Sequence, residues 1–296
     1  MNLLIAPRLS AILLALLVTF LWSTSFVIIK WGLTEIPPIT FAGLRYFIAF
    51  ICLLPFAFTN KNIKVIKSLA KKDWINLSLL GLMFYPLTQG AQFIGLSLIP
   101  AVTVSLLLNF TPIVVAFMAI VLISEYPTNL QWFGTFLFLT SIIIYFVPIN
   151  LLENEQAGLF VMLIGVFANA GSAVLGRKVN RSGKFSPFIV TLVSMGVGSF
   201  VLIITGIFVQ GINQISKENL FYLLWLAIVN TALAFVLWNK TLQMLSAMES
   251  SIINGTMLVQ IALLAWIFLG EEISMQEGLG MFAAACGAVL VQLKRK

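Results

Sequence analysis

Histidine is absent from this chain of 296 residues. Its absence removes the commonest metal ligand, the usual general base and the imidazole type of proton relay together. Charge is scarce too, at 9% of residues, against roughly a quarter in soluble domains. Only two cysteines occur, and Cys52 and Cys286 both fall inside apolar runs, which points to free thiols rather than a disulfide or a metal pair. No G-x-x-x-x-G-K-[ST] phosphate loop is present, so direct drive by ATP is not expected. A membrane-embedded enzyme would need acidic, thiol or imidazole groups clustered at membrane depth, and no such cluster can be read here. Neither a cofactor nor a metal site is expected.

What the chain has instead is apolar length: 60% of its residues are hydrophobic, more than a soluble fold of this size can bury. A span needs about 17 to 25 mostly apolar residues. Ten segments qualify: residues 10–30, 39–57, 74–96, 102–123, 130–146, 158–175, 188–208, 220–242, 247–269 and 278–293. The first lacks a small-residue cleavage site and reads as a retained helix rather than a signal peptide. Breaks are expected at Pro37–Pro38, the lysine-rich stretch Lys61–Asp73, Pro100, Pro127, the acidic segment around Glu153 and the basic turn Arg177–Lys184. With the N-terminus inside, fourteen of the seventeen lysines and arginines collect on one side, which the positive-inside rule assigns to the cytoplasm. The expectation is a multi-pass protein of the inner (plasma) membrane, with both termini cytoplasmic. Its +7 net charge is then explained by topology and the lipid bilayer, without nucleic acid as a partner.

The two halves align at a shift of 146 residues. Ala101, Ser105, Ala116, Ala119, Glu125 and Gly134 fall on Ala247, Ser251, Ala262, Ala265, Glu271 and Gly280. A repeat of five spans is odd, so the second copy must enter the membrane inverted, a hallmark of secondary transporters. The fold expected is an all-α membrane protein of ten transmembrane helices, built as two inverted five-helix repeats over residues 1–148 and 149–296.

Several stretches carry a resemblance. LWSTSFVIIKWGL in the first span, PPITFAGLRYFIAF in the second, and the paired segments AVTVSLLLNFTPIVVAFMAIVLISE and AMESSIINGTMLVQIALLAWIFLGEEIS resemble the EamA-type members of the drug/metabolite transporter superfamily. The resemblance implies a carrier moving small metabolites such as amino acids or amphipathic drugs outward, through a central cavity lined by spans 1, 3, 4, 6, 8 and 9. Two departures stand out: Ser124-Glu125 replaces the usual glycine-glutamate, and Leu258 stands where the first half has Pro112. The two halves are therefore not expected to bend alike.

Polar side chains within a bilayer are costly unless they meet a partner or water. Helical spacing puts Thr19, Trp22, Ser23 and Phe26 on one face of the first span and Tyr85, Gln89 and Gln92 on one face of the third. The same spacing groups Ser250, Asn254 and Met257 in the ninth. Asn109, Asn169, Ser172, Asn230, Trp238 and Asn239 complete a candidate lining; the alternative is that these groups merely bond between packed helices.

Intramembrane charge raises further alternatives. Arg45 lies about 10 Å deep, where it either meets a substrate carboxylate or snorkels toward carbonyl groups or Glu271. Glu249 is either a proton carrier or the N3 residue of a capping box begun by Ser246. Lys240 either snorkels or meets substrate. Glu125 and Glu271 end helices, where a negative charge is unfavourable, so capping is not expected to explain them; a hinge or gate role, with Pro112 also a gate candidate, is the expectation, the alternative being a solvated loop. The function expected is secondary transport of a small-molecule substrate by a monomer or homodimer, the alternatives being a channel or non-transporting scaffold and, less favoured, a membrane-embedded enzyme.

Overall fold

The computed structural model describes residues 5–111, 113–115, 117–118, 128–146, 153–181, 184–241 and 253–292, and every regular element among them is helical. Lipid dictates this choice, because a helix satisfies its backbone amides and carbonyls within the segment. In chain order the elements are α1 (Ile5–Gly32), α2 (Pro38–Ala57), α3 (Asn60–Lys67), α4 (Lys71–Leu82), a π-helical segment (Met83–Gln89), α5 (Gly90–Leu98) and α6 (Ala101–Leu108). There follow α7 (Asn129–Phe146), α8 (Glu153–Arg181), α9 (Pro187–Gln210), α10 (Lys217–Ala227), a second π-helical segment (Ile228–Leu233), α11 (Ala234–Thr241), α12 (Met257–Leu269) and α13 (Met275–Gln292).

Five described helices are long and apolar enough to cross a membrane: Leu9–Gly32, Pro38–Ala57, Glu155–Gly176, Pro187–Gln210 and Lys217–Trp238. Shorter apolar helices cover Ala101–Val115, Trp132–Tyr145 and Ile253–Leu269. The chain is thus a multi-pass membrane protein. Some expected breaks differ: helix α8 begins at Glu153 and persists to Arg181, through the first part of the stretch Arg177–Lys184 read as a basic turn. The lysine-rich break contains α3, begun by Thr59, whose side chain accepts a hydrogen bond from the amide of Asn62.

The fourth and ninth expected spans are not unbroken helices either. A turn at Asn109–Phe110 interrupts the first, and a turn at Thr256 interrupts the second. In each the amide reaches back three residues, Phe110 to Leu107 (2.9 Å) and Thr256 to Ile253 (3.1 Å). Phe110 and Thr256 are matched by the 146-residue shift, whereas the expectation that the halves bend differently rests on Pro112. Pro112, Glu125, Glu249 and Ser250 lie outside the described residues, as does the side chain of Asn239.

The chain separates into two compact units, each drawn from both halves of the sequence. One comprises Met1–Val27, Leu98–Leu159 and Ala234–Lys296. Its α7 and α13 cross closely because Gly280 and Gly287 carry no side chain: a Cβ at Gly287 would come within 2.8 Å of the Gly134 carbonyl oxygen, and one at Gly280 within 3.1 Å of the Ser141 carbonyl oxygen. Small residues are the standard means of bringing backbones together in lipid.

The other unit comprises Ile28–Ser97 and Phe160–Leu233. Helices α2 and α9 run antiparallel there, with Gly43 against Ile203 and Gly206 against Thr40. Pro38 starts α2, where its missing amide is harmless. The next two amides donate to the Gln210 side chain, Ile39 at 2.8 Å and Thr40 at 3.4 Å. In the α1–α2 loop, Glu35 accepts from the Ser216 amide at 3.2 Å and so ties the loop to the start of α10. Hydrogen bonds from Asn219 and then Ser216 hold the Glu35 carboxyl below the usual carboxylate range.

A depressed carboxylate contributes stability that is present above its unfolded-state pKa and lost as pH falls through its folded value. Thermal unfolding of the purified chain, stepped downward from pH 6, should therefore show a fall in midpoint below about pH 4.3, the ordinary glutamate value. In Glu35→Gln the part of that slope due to this loop should vanish while the midpoint at low pH stays unchanged.

Candidate functional site

Two polar clusters form where regular helix is interrupted, one in each compact unit. In the unit containing the N-terminal part of α1, Thr19 and Ser23 are fully buried on one face, and Phe26 lies on the same face. The spacing of the sequence puts them there because α1 is unbroken. The single Ser23 hydroxyl proton is shared between the Gln260 side-chain oxygen, 2.9 Å away, and the Thr19 carbonyl, 2.8 Å away. The Gln260 amide nitrogen donates to the hydroxyls of Thr256 at 2.9 Å and Thr19 at 3.4 Å. Both ends of the Gln260 amide are thus held, which fixes its orientation. Beside this cluster Trp22 meets Phe235 and Trp238, with ring centroids 5.7 and 5.2 Å apart in tilted geometry. The result is three aromatic rings next to a chain of hydroxyls and one amide.

The same unit holds Glu271. Gly270 ends α12 in the left-handed conformation (φ +67°), which a residue without a Cβ adopts readily. The turn lets the Glu271 carboxylate accept from the amides of Ala101 at 2.7 Å and Val102 at 3.1 Å. Glu271 therefore does cap a helix, namely α6 rather than the helix it ends. A carboxylate at a helix N-terminus is favourable by about 0.3–1 kcal/mol. Asn109 bonds the Ser105 carbonyl one turn back at 2.9 Å, while the buried Ser105 hydroxyl has no partner among the described residues. Asn254 and Lys240 are exposed, and Met257 begins a new helix beyond the turn at Thr256. The expected face of Ser250, Asn254 and Met257 is therefore not carried by one continuous helix.

In the other unit the guanidinium of Arg45 is buried, with only 4% of the residue exposed. Its Nε donates to the Thr231 hydroxyl at 2.9 Å, and that hydroxyl donates in turn to the Leu226 carbonyl at 2.8 Å. Rings of Tyr46 and Phe93 lie 5.3 and 6.0 Å from the guanidinium carbon, within cation–π range. The Tyr46 hydroxyl donates to Gln89 at 2.7 Å, and Tyr46 meets Tyr85 edge-on at 5.1 Å. Gln92 is buried nearby in sequence on α5.

Both π-helical segments serve this second cluster. Thr88 donates to the Met83 carbonyl and Thr231 to the Leu226 carbonyl, each five residues back. Pro86 lies inside the first segment and supplies no amide, which accounts for the loosened turn there. Across a π turn the α-helical spacing no longer applies, yet Tyr85 and Gln89 both meet Tyr46, and Gln92 is buried on α5. Asn169 is half-buried and its carbonyl accepts from Ser172 at 2.8 Å; Ser172 and Asn230 are buried.

Gln260, Tyr46, Thr231 and Phe235 were not expected in either cluster. Gln260 had a signal of its own, as the lone amide in the apolar helix MLVQIALLAWIFL. No group of His, Cys, Asp or Glu suited to a metal occurs among the described residues.

A double-mutant cycle tests the Arg45–Thr231 pair. Arg45→Met and Thr231→Val should each lower the unfolding midpoint of the purified protein, and together by less than their sum. A coupling of about 1–3 kcal/mol is the range for a hydrogen bond to a charged group. Separately, Glu271→Ala leaves two α6 amides without their acceptor and should cost about 1–2 kcal/mol by the same measurement.

Comparison with known proteins places the chain. The model of the EamA-like transporter family matches residues 9–147 and again residues 156–293. An "Uncharacterized transporter" of Archaeoglobus fulgidus is 26% identical over 293 residues, covering 96% of this chain and 97% of that protein. The transporter YoaV of Bacillus subtilis is 24% identical over 91% of this chain and 92% of its own length. The "S-adenosylmethionine/S-adenosylhomocysteine transporter" of Chlamydia trachomatis is 24% identical over 88% of this chain and 83% of its own length. A solved crystal structure shares the fold at a TM-score of 0.69, with 15% identity over 96% of this chain and 97% of that one. With its family model matched twice along almost its whole length, the chain belongs to the EamA-like transporter family.

Proposed function

We propose that this membrane transporter is a secondary carrier of small metabolites, working by alternating access through ten spans arranged as two inverted five-helix repeats, residues 1–148 and 149–296. The observation that carries the reading is the duplication of its irregularities. Turns at Phe110 and Thr256 stand 146 residues apart, and the π-helical segments at Met83–Gln89 and Ile228–Leu233 overlap under the same shift. Broken helices in corresponding positions of two halves are where carriers of this kind bind substrate and bend.

The substrate reading rests on the cluster of Trp22, Phe235, Trp238 and the Ser23–Gln260 pair. Aromatic faces beside an amide and hydroxyls suit a small amphipathic molecule that carries a flat or cationic part together with hydrogen-bonding groups. Amino acids and amphipathic drugs belong to this class. S-adenosylmethionine, named for the Chlamydia relative, combines an adenine ring with a sulfonium and an amino-acid end, and is a suitable first probe. The distribution of lysine and arginine supports an inner-membrane topology with both termini in the cytoplasm.

Uptake into inverted membrane vesicles, with and without a proton gradient, tests this function. A carrier gives saturable uptake that responds to the gradient; a scaffold gives none, and a channel gives flux that does not saturate. Trp238→Ala and Gln260→Leu should each lower kcat/KM by about tenfold or more, as loss of a buried aromatic or amide contact predicts. Surface expression should remain unchanged.

A further inference from the structure

We propose that the end of α2 and the start of α9 form a binding site for one anionic phospholipid, with an acyl chain in an apolar cleft and the phosphate on Lys67 and its lysine neighbours. The cleft has a volume of about 400 Å³ and is walled by Phe50, Phe58, Ile66, Trp74 and Leu192, with Lys67 also in its lining. It lies wholly within one compact unit.

Its lining follows the axes of α2 and α9. Helices α2 and α9 are antiparallel, so the C-terminal end of α2 lies beside the N-terminal end of α9. From Ala57, which lines the cleft at the end of α2, back to Phe50 is about two turns, near 10 Å at 1.5 Å per residue. Val197 marks a similar depth, ten residues into α9. At depth the walls are therefore apolar. Toward the helix ends stand the exposed ring of Trp74, a residue type enriched at the membrane boundary, and the exposed Lys67. Depth for an acyl chain and a cation at the mouth are the two requirements of a phospholipid.

Charge complementarity selects the anionic kind. Lys61, Lys64, Lys67, Lys71 and Lys72 lie within one stretch, and no acidic residue occurs from Ile36 to Lys72. Asp73, next in sequence, is committed elsewhere: it pairs with Lys184 at 2.5 Å and accepts from the Ala70 amide at 3.0 Å. That pairing holds the Asp73 carboxyl below the usual carboxylate range. Short α3 turns Ile63 and Ile66 to the cleft and leaves Lys64 and Lys67 exposed, the pattern of a helix lying in a membrane interface.

The test titrates the full chain in detergent with phosphatidylglycerol brominated on its acyl chains, against phosphatidylcholine with identical chains, and follows tryptophan fluorescence. Saturable quenching at lower phosphatidylglycerol concentration is expected, and that component should be missing in Trp74→Phe. Lys67→Gln should weaken it about fivefold, the share of one lysine at an anionic surface. Val197→Phe, which fills the cleft, should abolish it while Val197→Ala keeps it and verifies the fold. Equal quenching by both lipids overturns the proposal, as does quenching that survives in Trp74→Phe. So does competition by inorganic phosphate without any dependence on the acyl chain.

Discussion

Every backbone amide and carbonyl that leaves a regular helix inside lipid must find another partner, and this chain leaves regular helix repeatedly. Where it does, side chains add hydrogen bonds to the backbone. Thr88 and Thr231, each within a π-helical segment, donate to carbonyls five residues back, and at the turn in the fourth expected span the Asn109 side chain joins its own backbone amide on the Ser105 carbonyl. At the two starts that follow prolines, Gln210 receives the amides of Ile39 and Thr40, and Glu271 receives those of Ala101 and Val102. Both acceptors come from the second half of the sequence and both recipients from the first. Polar residues that would be costly in lipid are thereby tied to the irregular backbone that needs them.

In the proposed function, this link between irregularity and polarity is also the link to transport. An unbroken helix offers neither a site for substrate nor a place to bend, whereas a turn or π segment exposes hydrogen-bonding groups and concentrates flexibility. The aromatic and amide cluster beside Thr256 and the buried Arg45 beside the second π segment both sit at such places. Arg45 is held by Thr231 and lies against two aromatic rings. Gln260, held at both ends, is fixed in orientation and bonds Ser23, the neighbour of Trp22 in sequence.

Legibility from sequence followed regularity. Apolar length revealed the membrane helices, and of the residues that α-helical spacing grouped on the continuous α1, Thr19, Ser23 and Phe26 are buried and Trp22 is half-buried. Pro86 and the π turn alter the pitch around Tyr85, Gln89 and Gln92, which α-helical spacing does not anticipate, and a turn divides Asn254 from Met257. Helix α3 was hidden because its eight residues are mostly polar and too few to show a period. The capping by Glu271 is a contact across 170 residues, and nothing local to either partner announces it. Gln260 makes no stripe with other polar groups on its own helix, so a search for stripes passes over it.

The central claim is that the duplicated halves cross the membrane in opposite senses, and matched loop positions test it most directly. Ser68 and Gln214 are related by the 146-residue shift, and both are exposed. In a background of Cys52→Ala and Cys286→Ala, single Ser68→Cys and Gln214→Cys variants can be treated in intact spheroplasts with a membrane-impermeant maleimide. The account predicts that Gln214→Cys is labelled from outside and Ser68→Cys only after lysis. Labelling of both from the same side would contradict it.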